Sequence, residues 1–114
     1  MKIIINKYIP FKGFIAINLF GVLFVREENK SYIGLKTINH ETIHTKQMQE
    51  MGYIFFYIWY CIEYIIKLLF NIHKKNRFEI AYKSISFEQE AYLNDNDINY
   101  ITHRTHYNWI KYIF

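Results

Sequence analysis

Hydrophobic and polar positions divide the chain into two unlike parts. From Lys2 to Val25 it is apolar without helical spacing: Lys2, Lys7 and Lys12 precede an uncharged run from Gly13 to Val25, rich in β-branched and aromatic residues. Phe14 to Val25 predicts one or two β-strands bent at Gly21, and the polar segment Glu27 to Tyr32 predicts a loop. A cleavable leader is not expected. The run has no small-x-small cleavage site and passes directly into Arg26-Glu27-Glu28.

Beyond this the chain reads as helical. Thr37 is placed to cap a helix over about Ile38 to Met51, with Ile38 and Ile43 turned to the core and His40, His44 and Gln47 sharing one face. Gly52 permits a break. Tyr53 to Ile72 predicts a long helix that is apolar nearly all round, interrupted by Glu63 and Lys67 at i,i+4 spacing. Its longest uncharged piece, Met51 to Ile62, is about 12 residues, against the roughly 18 that a membrane span needs. The core helix of a small domain is therefore the favoured reading, and a helix on or partly in a membrane the alternative.

A basic connector, His73 to Arg77, leads to a helical region from Phe78 to about Asn94, broken around Ser84 to Ser86. Ser86 and Gln89 are spaced as a capping box for a helix starting at Phe87. Asn94 to Asp97 predicts a turn. A last helix then runs from Ile98 to Ile113, burying Ile98, Ile101, Trp109 and Ile113. The expected fold is one domain over 1–114, mainly α with a small N-terminal β element: β-rich over about 1–33 and helical over about 37–113.

Composition narrows the function classes. With 52% hydrophobic residues, one Pro and four Gly, the chain has the material for a packed core and is not disordered. The net charge of +4 is scattered, and no basic and aromatic code for nucleic acid is present. Small basic groups at Lys74-Lys75-Asn76-Arg77 and from Arg104 to Lys111 are compatible with a fringe beside a membrane. The single cysteine, Cys61, excludes an intrachain disulfide and a cysteine-type zinc site. A cytoplasmic or membrane-associated location fits these features.

The chemistry is carried by His40-Glu41-Thr42-Ile43-His44, an H-E-x-x-H run on the first predicted helix. Residues four apart stack on one helix face, so both imidazoles can reach one zinc ion. Glu41, one step round the cylinder, can polarise a water without ligating the ion. A catalytic site needs a third protein ligand, and the acidic candidates are Glu88 and Glu90, both on a predicted downstream helix. Helical geometry does not separate the two.

An H-E-x-x-H helix followed by Glu88-Gln89-Glu90-Ala91, an E-x-x-A run, resembles the gluzincin metallopeptidases. The likeness is to their membrane-linked branches, the CAAX prenyl protease and heat-shock membrane protease group and the BlaR-type sensor peptidases. That resemblance implies a zincin-like core in which the H-E-x-x-H helix packs on a Glu-bearing helix. It implies one zinc ion held by His40, His44 and Glu88, with Glu41 as general base and a peptide or protein as substrate. Tyr92 stands where the family pattern has an Asp that orients a ligand histidine, leaving Glu79, Glu90 or Asp95 to substitute. Tyr82, Tyr92, His103 and His106 are the candidates for an oxyanion donor, and His73 is read as a loop residue. The competing class is a non-catalytic metal-binding or membrane-associated interaction protein with a vestigial H-E-x-x-H.

Overall fold

Phe20 and Gly21 both have positive φ, 54° and 88°, and join two strands as a two-residue hairpin. Such a turn matches the twist of the strands it connects. The strands are β2 (Ala16–Leu19) and β3 (Val22–Arg26), paired antiparallel with Leu19 opposite Val22. The computed structural model describes residues 1–113, and within them β1 (Lys2–Asn6) pairs parallel to the other edge of β3, giving the order β1-β3-β2. Leu23 and Val25 of the central strand are fully buried. The bend expected at Gly21 is thus the hairpin itself. β1 lies within the stretch expected to be β-rich but ahead of Phe14 to Val25, the span that predicts strands; pairing with β3 makes it a strand. Glu27–Tyr32 winds as a 3-10 turn rather than an open loop.

Helix α1 (Leu35–Met51) begins earlier than Thr37 would have it. Gly34 occupies the cap position without a side-chain bond, and the Ile38 N–H closes the first turn on the Gly34 carbonyl at 3.1 Å. Thr37 therefore lies inside the first turn. The helix stops at Gly52, which takes the left-handed conformation (φ 74°, ψ 42°) and returns its N–H to Met48. The chain then swings through 109° into α2 (Ile54–Phe70).

α3 (Arg77–Ser84) and α4 (Ser86–Asn94) are parted by Ile85, fully buried at φ −59°, ψ 134°, where a break was expected. The predicted capping box does not form. Ser86 is itself helical, and its N–H and hydroxyl both donate to Glu63 of α2, at 2.6 Å each. The Gln89 side chain turns back to the Lys83 carbonyl. The last helix is also not continuous: α5 (Tyr100–His103) ends at an extended Arg104, and a 3-10 turn covers Asn108–Tyr112. The extended Arg104 pairs with two carboxylates described below. Trp109 is buried as expected and Ile101 and Ile113 are half-buried, but Ile98 is 71% exposed.

Met48, Phe56, Ile85, Phe87 and Trp109 form the main core, and Ile43, Ala91 and Tyr100 a smaller one. The core-helix reading of Tyr53 to Ile72 holds for one face, where Phe56 joins the main core with Tyr57, Trp59, Tyr60 and Tyr64 against it, and fails for the other. Only Phe56 and Glu63 of α2 are buried, whereas Ile54, Phe55, Leu69 and Phe70 are 64–76% exposed. The helix has packed neighbours on one side only. Among the described residues no single helix is long and apolar enough to cross a membrane.

Candidate metal centre

His40 and His44, one turn apart on α1, face the first turn of α4, which carries Glu88. All three are buried. The two Nε2 atoms are 3.1 Å apart, and Glu88 Oε1 lies 3.2 Å from that of His40 and 3.1 Å from that of His44. A tetrahedral ion with ligand bonds of about 2.0–2.1 Å separates its ligand atoms by about 3.3 Å. The observed triangle is close to one face of such a tetrahedron, so these side chains can hold one metal ion.

The surroundings decide which ring nitrogens face the centre. Gln47 spends its amide N–H groups on the Phe87 carbonyl, at 3.0 Å, and on Glu90 Oε1, at 2.9 Å. Its oxygen must therefore accept, and His44 Nδ1–H donates to it at 2.8 Å. Asp95 Oδ2 stands 3.1 Å from His40 Nδ1 and accepts the N–H there. Both histidines are thus left with Nε2 lone pairs pointing at the same place. The Tyr60 hydroxyl donates to Glu88 Oε2 at 2.7 Å, leaving Oε1 for the centre. With both imidazoles neutral, three acceptor atoms converge with no donor between them, an arrangement that a cation satisfies.

Without an ion, a proton supplies the charge. Burial alone would lower the His44 pKa, but the Glu88 carboxylate outweighs it and raises His44 to about 10. Burial likewise pushes Glu88 up, and the His44 charge and hydrogen bonds from His40, His44 and Tyr60 hold it well below the carboxylate range. Burial, then the charge on Glu88, drives the Tyr60 and Tyr82 hydroxyls far above the usual phenol value.

Asp95 fills the role left open by Tyr92, as one of the alternatives. It is 3% exposed, and Asn39 anchors its turn by donating to the carbonyls of Asp95 and Asp97 at 2.8 and 2.9 Å. Tyr92 instead lays its ring against His40, with centroids 4.6 Å apart. Glu90, two residues from Glu88 and so on the far side of α4, is turned away from the centre. It accepts from Arg104 Nε at 2.6 Å and from the Tyr100 hydroxyl at 2.6 Å. Arg104 also holds Glu50 through Nη1 and Nη2, at 2.8 and 2.9 Å. Glu79 pairs with Lys83 on the surface.

Glu41 is half-buried at the rim of two cavities. One, of about 270 Å³, adjoins His44 and Glu88 and is walled by β2 residues Ala16 to Leu19 and by Phe56, Tyr57 and Tyr60. The other, of about 380 Å³, lies on the His40 side between Lys36, Tyr92 and Asp95. Tyr82 borders both. The remaining oxyanion candidates lie elsewhere: His103 is on the surface with Asp97, and His106, with its side chain 88% exposed, pairs with Glu50. His73 is an exposed turn residue, as read.

Three residues of the site carried no signal by motif. Asn18, 8% exposed on β2, donates to the Glu41 carbonyl at 3.0 Å and to the Thr45 hydroxyl at 3.2 Å, docking the sheet on α1. Tyr60 and Arg104 are the others. For Asn18 the cue was an amide in an otherwise apolar strand; one Tyr among eleven offers none. No family model, curated protein or solved structure matches this chain.

Proposed function

We propose that this protein is a zinc-dependent metallopeptidase with a gluzincin-like centre, holding the ion with His40, His44 and Glu88. The observation that carries this reading is the convergence of two imidazole Nε2 atoms and one carboxylate oxygen, each side chain aimed by its own buried partner. Nitrogen and carboxylate donors in this number suit zinc and leave a coordination position open for water. Bound zinc supplies Lewis acidity, which brings the pKa of water towards neutrality.

The chain's own residues do the rest. Glu41, next to His40 and outside the ligand set, takes the proton of the attacking water and delivers it to the leaving amine. Tyr82 borders the same space as Glu41, and its raised pKa keeps the hydroxyl protonated as an oxyanion donor. Asp95 and Gln47 hold the two imidazoles in the tautomer that the metal needs. β2 is the edge strand of its sheet and walls the cavity. On it the Asn18 carbonyl accepts from the Tyr57 hydroxyl at 3.2 Å, leaving Ala16 as the edge position nearest an extended peptide.

The test is metal content by elemental mass spectrometry together with peptide hydrolysis. Glu41→Gln is expected to retain about one zinc per chain and to lose activity to background. Tyr82→Phe is expected to keep the metal and lower kcat by about 100-fold. Hydrolysis that survives Glu41→Gln, or a wild-type protein that takes up no zinc, sinks the proposal.

A further inference from the structure

Helix α2 is polarised the wrong way for water. Its two charged residues, Glu63 and Lys67, both point inward: Glu63, 3% exposed, holds the start of α4, and the Lys67 ammonium donates to the Ile113 carbonyl at 2.7 Å. The opposite half of the cylinder carries Phe55, Ile58, Ile62, Ile65, Ile66 and Leu69, which are 43–66% exposed. No polar side chain interrupts that stripe. At 1.5 Å per residue it is about 21 Å long. An apolar surface of this extent marks a place where something other than water lies.

Charge at one end selects the occupant. The stripe runs out at Phe70 into a turn bearing exposed Lys74 and Lys75, followed by Arg77, whose guanidinium lies 5.2 Å from the centroid of the exposed Phe78 ring. A protein interface of ordinary kind has a polar rim on all sides. Here an unbroken apolar stripe meets a basic cluster at a single end, the pattern that fits acyl chains below and anionic headgroups beside them. We propose that α2 lies in the plane of an anionic lipid bilayer, its Phe55-to-Leu69 face in the acyl region and Lys74 and Lys75 at the headgroups. The helix is docked along the surface and does not span. This inference is independent of the zinc reading, since none of its residues touches the metal centre.

Cys61, the single cysteine, is exposed at the edge of this face and can carry a polarity-sensitive fluorophore. The full chain is mixed with vesicles of phosphatidylcholine alone or with one quarter phosphatidylglycerol, and binding is read by flotation and by emission from the labelled Cys61. The expected result is flotation with the anionic vesicles and a blue shift of the probe, weakened by salt. Lys74→Ala and Lys75→Ala should each reduce partitioning to anionic vesicles by about fivefold. The double variant Ile62→Glu and Ile66→Glu should abolish it while circular dichroism stays unchanged, both sites being on the surface. No flotation and no probe shift overturns the proposal, as does a concentration-dependent dimer that buries the probe without vesicle binding. That last outcome would assign the face to a second copy of the chain.

Discussion

His44 and Glu88 enter the interior as the two halves of a charge pair, and each is stable there because of the other. The pair has a definite pH signature in the metal-free protein. The contribution of His44 is complete below its unfolded value near 6.5 and is lost as pH rises to about 10. That of Glu88, whose folded pKa is depressed, is complete above its unfolded value near 4.5 and is lost as pH falls below it. Thermal melts of the metal-free protein between about pH 5 and 10 should therefore decline on the alkaline side, and Glu88→Gln should flatten that decline. An alkaline limb equally steep in the variant would refute the pairing. Metal must displace the His44 proton, so apparent zinc affinity should climb about tenfold per pH unit between pH 7 and 9. Competition with a chelator measures it. Asp95→Ala should weaken zinc by about 10- to 100-fold, because His40 then loses the acceptor that fixes its tautomer.

Among the elements, α4 is the one held from outside. Its first turn has no cap from its own sequence, since Ser86 is already helical and Gln89 turns to Lys83. Glu63 of α2 supplies the missing acceptor with both oxygens, at the end of the helix where negative charge is favourable. Glu88 is two residues along from that cap, so the ligand's position depends on it. Glu63→Ala should cost roughly 2–3 kcal/mol in a urea titration, the loss of charged hydrogen bonds and of the cap together. It should also weaken zinc binding although Glu63 touches no ligand. A variant that melts earlier but binds zinc with unchanged affinity would show that α4 stays in register without its cap.

At the scale of the molecule, Arg104 joins what the chain separates. It bridges Glu50 of α1 and Glu90 of α4, and its side chain is 5% exposed. Gln47 links Glu90 to His44, so the same network runs from the metal ligands to the C-terminal segment. Arg104→Ala leaves the fully buried Glu90 without its counter-charge, while Glu50 keeps His106 and the Tyr107 N–H, and should cost about 3 kcal/mol. A fall in the thermal midpoint is the readout. Arg104→Lys should recover only part of it, because an ammonium cannot reproduce the forked pairing. A loss below about 1 kcal/mol would class the bridge with surface ion pairs.

The local chemistry was legible in the sequence because it depends on short-range geometry. Four-residue spacing on a helix dictates that His40 and His44 share a face, and Gly52 ends that helix because it can adopt positive φ. The Phe20-Gly21 bend follows from an equally local preference, whereas the break before α4 is held by Glu63 of α2 and not by the Ser86–Gln89 box its spacing suggests. What spacing could not decide was every question answered by a partner far along the chain. Glu88 and Glu90 are indistinguishable by pattern, yet α4 packs so that one meets two histidines and the other meets Arg104. The acceptor for His40 is Asp95, outside any motif, because the turn at 94–97 is pinned by Asn39. The apolar run of α2 announces a helix, but which side is covered depends on how many elements pack against it. Sequence sets the donors and their local spacing; long-range packing sets which of them are desolvated together, and desolvation is what turns scattered side chains into a site.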